Sequence, residues 1–267
     1  MTRFGVFADV HANWHALDAA LHFLAGQNVD SYLCAGDLVG YGPLPNSTAD
    51  RVLSLPGHVV AGNHELIALG ELDDGDCTDL ARASLRWTRG ALDADVRQSL
   101  AALPRHAQVA GVVALAHGSW DDPQRYVRTE AEAQVALREL HPHLPQAELL
   151  ILGHTHEALA VGERAGEILR GRTGEVALPR GQRFLLNPGS VGQARGGPAR
   201  ARVMILDLER RIASFHSVRY DTRSCRRALK QLGLPSSSCH VRGSAPQRVR
   251  HLLSPYRRAL RSRRISR

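Results

Sequence analysis

Five short polar clusters stand directly after apolar runs in this chain, and each contains side chains that can bind metals. The clusters are "DVH" at 9–11, "GD" at 36–37, "GNH" at 62–64, "HGS" at 117–119 and "GHTH" at 153–156. Their possible metal ligands are two Asp, one Asn and at least four His, drawn from Asp9, His11, Asp37, Asn63, His64, His117, His154 and His156. Mixed oxygen and imidazole donors favour Mn, Fe, Zn or Ni over the all-oxygen sites of Ca or Mg.

The number of these ligands favours two ions rather than one. Seven ligands exceed what one tetrahedral ion needs, whereas two ions that share a bridging carboxylate use all of them. A pair of ions about 3.5–4 Å apart stabilises the attacking and leaving oxygens of a phosphoryl displacement. One histidine at the end of a strand is more often structural, but five such clusters in one chain predict a two-metal site.

The apolar runs before the clusters predict the strands that position them. Three strands are predicted in "RFGVFAD", "DSYLCAGD" and "GHVVAGNHE", with helices between them in "NWHALDAALHFLAGQ" and "NSTADRVLSL". Asn46 or Ser47 is the predicted cap of the second helix. This alternation predicts a parallel sheet with right-handed crossovers. The carboxyl ends of parallel strands open on one crevice, so residues distant in sequence are expected to meet there.

The remaining patterns predict one domain over 1–220, with two sheets and helices outside them. Residues 71–103 and "TEAEAQVALREL" are predicted helices, and "HAQVAGVVALAHGSW" is a predicted hairpin that turns at Gly111. Strands are predicted in "AELLILGHTHE", "ALAVGE", "RFLLNPGSVG" and "RARVMILDLERRIASFHSV". Residues 221–267 form the predicted C-terminal extension, which is Arg-rich and partly helical.

The charge of the chain is distributed unevenly. The net charge is +8 over 267 residues, but residues 222–267 carry thirteen basic side chains and no acidic one, whereas residues 1–221 carry 21 basic and 26 acidic. The extension therefore either contacts nucleic acid or another polyanion, or is a solvated surface that pairs with the acidic body.

The sequence also indicates where the protein works. No apolar run is long enough for a membrane helix, and the N-terminus lacks the pattern of a signal peptide. We therefore expect no membrane partner. The four cysteines are scattered and form no CxxC pair. Free thiols in a reducing cytoplasmic setting are the expectation from this spacing.

The complete set of clusters resembles the signature of the calcineurin-like metallophosphoesterases, namely D-x-H, G-D, G-N-H-[ED], a lone His and G-H-x-H. Every element is present in order between Phe4 and about Val191. The resemblance implies a four-layer α/β/β/α sandwich with a dinuclear metal centre. It also implies that one metal is held by Asp9, His11 and His156, and the other by Asn63, His117 and His154, with Asp37 bridging.

The resemblance further implies a reaction. A metal-bridging hydroxide would attack the phosphorus of a small phosphate ester, and His64 would be the catalytic proton donor to the leaving group. Phosphodiesters or nucleotide-like molecules are the expected substrates, and two divalent ions are the expected cofactors, Mn first, with Fe, Zn, Ni and Co as alternatives. Glu65 either orients His64 or begins the helix that follows.

Other functions remain open from the sequence. They are a phosphomonoesterase, a protein or diadenosine-tetraphosphate phosphatase, a nuclease that uses the basic extension, and a non-catalytic scaffold. The protein phosphatases of this superfamily carry G-D-x-x-D-R-G, but here "GDLVGYG" has Gly40 and Tyr41 in place of the second Asp and the Arg. This departure disfavours the protein phosphatase and diadenosine-tetraphosphatase readings. The retained ligands and His64 disfavour the scaffold.

Two features near the predicted site have alternative roles. The "NPGS" turn at 187–190 either meets a phosphate through its amides or Ser190, or is purely structural. Arg125, Arg195 and Arg200 are the candidate residues for binding the substrate.

Overall fold

Two six-stranded sheets form the centre of the protein in a computed structural model that describes residues 3–195 and 197–241. In chain order, the strands are β1 (Arg3–Phe7), β2 (Ser31–Cys34), β3 (Gly57–Val59), β4 (His106–Val109), β5 (Val113–Ala116), β6 (Leu149–Ile151), β7 (Ala158–Gly162), β8 (Gly166–Arg170), β9 (Gly174–Ala177), β10 (Phe184–Pro188), β11 (Ala194–Arg195), β12 (Ala201–Asp207), β13 (Ile212–Val218) and β14 (His240–Val241). The helices are α1 (Trp14–Ala25), α2 (Pro45–Leu53), α3 (Asn63–Leu69), α4 (Asp79–Ala91), α5 (Ala94–Ala101), α6 (Glu130–Leu140) and α7 (Thr222–Gln231).

The two sheets are mixed, and each has a parallel centre. The first sheet has the order β3-β2-β1-β12-β13-β9, and the second has the order β4-β5-β6-β10-β7-β8. Strands β1, β2 and β3 are parallel, as predicted, and so are β5, β6 and β10. The other pairs within these sheets are antiparallel. The parallel strands of both sheets end on the side where the polar clusters follow.

Alternating side chains of the central strands build the layers. On β12, Met204 and Leu206 join the apolar cluster between the sheets, whereas Val203 and Ile205 face the helices of the first sheet. This alternation is the period of two that a strand imposes on its side chains. On β10, Leu185 packs with α6 outside the second sheet. Three apolar layers therefore separate four layers of secondary structure, which confirms the α/β/β/α prediction.

The helix predicted after β1 is present, and its apolar residues are spaced so that they share one buried face. Leu17, Leu21 and Leu24 of α1 lie on one face and are buried. The side chain of Asn13 caps the helix by accepting a hydrogen bond from the Ala16 amide at 3.2 Å. The same side chain donates to the Gly192 carbonyl at 2.8 Å, so the start of α1 is tied to the loop after β10.

Several local predictions are wrong or incomplete. Helix α2 begins at Pro45 with Leu44 as its N-cap, not at Asn46 or Ser47, because proline is favoured in the first helical turn. The region 71–103 holds two helices, and residues 71–78 are outside them. Strands β8 and β9 were not predicted, since their sequences are short and largely polar. The hairpin is confirmed, with Gly111 at φ 74° in its turn.

Residues 222–241 lie against the rest of the fold. Helix α7, which the sequence predicts, packs on α1, and β14 pairs in parallel with β11. Cys225, Leu229 and Cys239 form a small buried apolar cluster under this segment. The predicted division at 220 and 221 stays a prediction. The basic, partly helical end predicted after Val241 lies outside the described residues.

Two further expectations can be compared with the described part of the chain. All four cysteines are free thiols, as predicted, and Cys34 is buried within β2. Of the helices that the structure describes, none combines the length and the apolar character that a membrane span requires.

Candidate metal centre

All seven predicted ligands meet at one end of the two sheets. Asp9 and His11 follow β1, Asp37 follows β2, and Asn63 begins α3 after β3. From the second sheet, His117 follows β5, and His154 and His156 follow β6. All of these side chains are buried. Three groups have ligand atoms within 4.8 Å of one another: Asp9, His11 and His156; His11, Asp37 and His64; Asp37, His117 and His154.

Asp37 lies between the two halves of this centre. Its Oδ2 atom is 3.7 Å from His11 Nε2 on one side and 3.2 Å from His117 Nε2 on the other. His64 Nε2 lies 4.0 Å from the same oxygen. One carboxylate oxygen within reach of both histidine groups is the arrangement that a bridging ligand requires.

Backbone carbonyls fix the orientation of the histidine rings. The Nδ1 atoms of His11, His117 and His156 contact the carbonyls of Val39 at 3.0 Å, Ala35 at 2.6 Å and Gln193 at 2.8 Å. A carbonyl only accepts hydrogen bonds, so each Nδ1 carries a proton and each Nε2 is turned towards the centre. His154 is reversed: its Nε2 contacts the Gln124 carbonyl at 3.1 Å, which leaves Nδ1 for a ligand. Such second partners are typical of metal-binding histidines.

The half that contains Asp9 fits a cation. His11 Nε2 and His156 Nε2 lie 3.0 Å apart, and both rings donate from Nδ1. Burial lowers the pKa of both histidines well below the usual range, so both are neutral and two lone pairs face each other. The buried Asp9 Oδ2 atom has no hydrogen-bond partner among the described residues. A cation held by these three side chains satisfies all three atoms.

The half that contains Asn63 also attracts positive charge. His117 Nε2 lies 3.0 Å from Asn63 Oδ1 and 3.2 Å from Asp37 Oδ2, both of which are acceptors. Burial alone would lower the pKa of His117, but the Asp37 carboxylate outweighs it and raises that pKa to about 9. Asn63 Oδ1, Asp37 Oδ2 and His117 Nε2 are therefore donors that could hold a cation together.

The pKa values of the two Asp carboxyls in the centre are shifted in opposite directions. Burial raises the pKa of Asp9 to about 7. Burial also opposes ionisation of Asp37, but His117 and His64 outweigh it and hold the pKa of Asp37 well below its usual range. Of the two carboxylates, Asp37 is thus the one whose surroundings favour the ionised form.

Five of the seven predicted ligands have a left-handed backbone, which the sequence does not indicate. The φ angles are 54° at Asp9, 50° at His11, 57° at Asp37, 65° at His154 and 62° at His156. Residues with a side chain adopt this conformation rarely, and it is enriched at functional sites. Hydrogen bonds hold it here: for example, the amide of His154 donates to Asp9 Oδ1 at 3.0 Å.

Close approach at two glycines brings the loops together. A Cβ atom on Gly62 would lie 2.1 Å from Asp37 Oδ1, and one on Gly40 would lie 2.1 Å from His64 Nδ1. Gly40 is the position at which the protein phosphatases of the superfamily carry an Asp. In this position the His64 ring leaves no space for that carboxylate.

His64 lies at the edge of the ligand groups, against aromatic rings. Its ring centroid is 4.6 Å from that of His11 and 4.9 Å from that of Tyr41. Its Nδ1 makes no hydrogen bond among the described residues, although the Val39 carbonyl is close enough to favour its protonated form. Burial outweighs this and lowers the pKa of His64. Tyr41, which stands where the phosphatase motif has Arg, packs against the His64 ring and so helps to fix it.

Glu65 links two of the ligand loops. Its carboxylate accepts hydrogen bonds from the amides of Gly62 at 2.8 Å, Asp37 at 2.9 Å and Val39 at 3.0 Å. The first of these bonds caps α3, in agreement with one of the two roles considered for Glu65. The other two were not anticipated, because the sequence does not show that the loop after β2 passes over the start of α3.

The NPGS turn is occupied by internal hydrogen bonds. Ser190 Oγ donates to the Asp9 carbonyl at 2.9 Å and accepts from the Gln193 amide at 2.9 Å. Asn187 Nδ2 donates to the Gly153 carbonyl at 2.6 Å, and its Oδ1 accepts from the Gly189 amide at 2.9 Å. Both side chains are buried. These contacts favour the structural role of the turn over a contact with phosphate.

The three candidate arginines have different surroundings. Arg125 forms an ion pair with Glu139. Arg200 is partly buried just before β12. Arg195 is the one of the three whose charge acts on Asp9, His11 and His156.

The layered sheets and the buried histidine and carboxylate groups define a candidate metal-dependent protein, and comparisons identify its family. The profile described as "Calcineurin-like phosphoesterase superfamily domain" matches residues 2–211. The chain belongs to this superfamily, whose members are metal-dependent phosphoesterases.

Individual relatives agree with this assignment. An uncharacterized protein of Methanocaldococcus jannaschii is 26% identical over 235 residues, which are 86% of this chain and 93% of the relative. Phosphodiesterase YfcE of Escherichia coli is 27% identical over 194 residues, which are 69% of this chain and 83% of that protein. The crystal structure of a metallophosphoesterase from Sphaerobacter thermophilus is 29% identical, with a TM-score of 0.76, and the match covers 89% of this chain and 96% of that one.

Proposed function

We propose that this protein hydrolyses phosphate esters, with phosphodiesters or nucleotide-like molecules as its substrates, and that two divalent ions are its cofactors. Asp9, His11 and His156 would hold one ion, and Asn63, His117 and His154 the other, with Asp37 between them. The observation that carries the proposal is the 3.0 Å contact between the neutral His11 and His156 nitrogens, beside the unpartnered Asp9 Oδ2. Manganese is the first candidate metal, because the donors mix oxygen with imidazole nitrogen.

Different residues of the chain would have different roles in the reaction. When bound, the ions lower the pKa of a water molecule and balance the charge of the phosphate. The buried walls exclude bulk water from the centre, which strengthens electrostatic contacts with the phosphate. His64 lies 4.0 Å from Asp37 and outside the proposed ligand set. From there it would donate a proton to the departing oxygen, a step worth about 10²–10⁴-fold in rate.

The similarity to the YfcE phosphodiesterase supports diester substrates. The position of Gly40 against His64 disfavours a protein phosphatase or a diadenosine tetraphosphatase, since the Asp of that branch has no space here. A phosphomonoesterase is the main alternative. A scaffold without catalysis is disfavoured because the ligands and His64 are all retained. Free thiols support a cytoplasmic location.

A substrate and metal panel tests this proposal. The purified protein is stripped of metal and supplied separately with Mn, Ni, Co, Zn or Mg, and hydrolysis of bis(p-nitrophenyl) phosphate and p-nitrophenyl phosphate is measured beside the bound metal content. We expect about two ions per chain and faster cleavage of the diester. D37A and H154A should lose both binding and activity. A protein that binds no transition metal and cleaves neither ester would refute the proposal.

The basic extension is a separate proposal. Residues 222–267 would contact nucleic acid, so that the salt dependence of binding to DNA would decrease when residues 242–267 are removed. Retention on DNA that is equal for both chains at every salt concentration would show that the extension is only a solvated surface.

A further inference from the structure

Arg195 lies beside the half of the centre that contains His156. It belongs to β11, two residues after Gln193, whose carbonyl accepts the Nδ1 hydrogen of His156 at 2.8 Å. The charge of Arg195 acts on Asp9, His11 and His64 as well. Arg195 nevertheless keeps exposed surface at this side of the centre.

Neutral partners hold the Arg195 side chain in place. Its Nε atom donates to Gln193 Oε1 at 3.1 Å, and a second side-chain hydrogen bond joins it to Tyr126. Because neither partner carries a charge, the positive charge of the guanidinium stays available. A guanidinium is always protonated and presents its donors in a planar fork, which matches two oxygens of a phosphate.

Tyr126 serves to orient Arg195 rather than to stack against a substrate. The centroid of the His154 ring lies 4.0 Å from the centroid of the Tyr126 ring, and Arg128 Cζ lies 3.9 Å from the same point. Two groups at this distance cannot share one face of a ring, so His154 and Arg128 cover opposite faces. The hydroxyl edge of Tyr126 is the part that remains for Arg195.

The C-terminal segment supports the same arrangement. Gln193 Nε2 donates to the Ser238 carbonyl at 2.7 Å, while Gln193 Oε1 holds Arg195. The backbone of Arg195 is paired with Val241 in the β11–β14 ladder. The position of Arg195 thus depends on residues that follow the part of the chain matched by the family profile, which ends at 211.

We propose that Arg195 binds a non-bridging oxygen of the substrate phosphate from the His156 side of the centre, and that Gln193 and β14 position it for this contact. The inference rests on the proposed phosphoesterase function and assigns the residue that recognises the anionic group. A cation beside two bound metal ions would be repelled unless an anion lay between them, so this arrangement would favour an anionic ligand.

Steady-state kinetics of the metal-loaded full-length protein test the inference. We expect R195Q to raise the KM for bis(p-nitrophenyl) phosphate by about 10- to 100-fold, as for a lost hydrogen bond to a charged group. The inhibition constant of inorganic phosphate should rise in parallel, with metal content unchanged. R195K should recover part of the loss, because it keeps the charge but not the fork. R164Q, which removes the same charge from an exposed turn, is the matched control.

A second variant tests the positioning role. Q193A should raise KM with a smaller change in kcat, and the double variant with R195Q should be no worse than R195Q alone, since both act through one contact. A KM and a phosphate inhibition constant equal to wild type in R195Q would overturn the inference while leaving the proposed function intact. If the wild-type protein cleaves no ester, calorimetry with inorganic phosphate still compares wild type with R195Q, and equal affinity would overturn the inference there too.

Discussion

The carboxylate of Glu65 accepts a hydrogen bond from the backbone amide of Asp37 at 2.9 Å, and the same oxygen accepts one from Gly62 at 2.8 Å. The first amide belongs to the loop after β2, and the second precedes α3. A single buried side chain therefore fixes the loop of Asp37, the proposed bridging ligand, against the loop of Asn63. This contact explains how a strained Asp37, with φ 57°, keeps its place.

Removing this acceptor should loosen both loops. E65Q replaces one oxygen by an amide group that cannot accept, and so leaves at least one buried N–H without a partner. We expect the free energy of unfolding to fall by about 2–3 kcal/mol, from the usual penalty for an unsatisfied buried group. Denaturant unfolding of E65Q and of the control E71Q, at an exposed position, measures the difference. Equal stability of E65Q and wild type would show that the contact is dispensable.

Metal binding should stabilise the fold. Ligands that bind only the folded state add about 2.7 kcal/mol at 100 times their dissociation constant, which is about 5–10 °C in Tm for a chain of this size. Thermal unfolding with Mn and with a chelator measures the shift. D9N should show a smaller shift, because it replaces the carboxylate whose Oδ2 lacks a hydrogen-bond partner. An identical Tm with and without metal would contradict the ligand assignment.

The role of His64 predicts a dependence on the leaving group. H64Q should lower kcat by about 10²–10⁴-fold for substrates with poor leaving groups, and by less for p-nitrophenyl esters, whose leaving group needs little protonation. A series of aryl phosphodiesters measures the slope of log kcat against the pKa of the phenol, which should be steeper in H64Q. H58Q, at an exposed position in β3, is the control. Parallel slopes would exclude His64 as the proton donor.

The NPGS turn offers a test of structural against substrate-binding roles. S190A removes the hydroxyl that joins the Asp9 carbonyl to the Gln193 amide. We expect a loss of about 1–3 kcal/mol in the free energy of unfolding, with KM for the diester nearly unchanged. Unfolding and kinetics on the same preparation separate the two effects. A KM that rises while stability is kept would favour a direct contact between Ser190 and phosphate.

Much of the centre could be predicted from the sequence, because an apolar run followed by polar residues marks the end of a buried strand. Apolar runs followed by Asp9, Asp37 and His154 predict a common edge, and the structure places these residues there. The left-handed φ angles could not be predicted, since single Asp and His residues adopt them only when surrounding contacts impose them. The contacts of Glu65 and Arg195 could not be predicted from the sequence either, because both depend on loops that are distant in the chain.

The proposed ligands of the centre come from both sheets, and this has a consequence for how the protein folds. His11 and His156, whose nitrogens meet at 3.0 Å, are separated by 145 positions in the chain. Contacts between such distant segments form late and slowly during folding. Bound ions would therefore stabilise the contact between the two sheets once that contact has formed. The supply of metal during synthesis is then expected to govern how much of the protein escapes proteolysis.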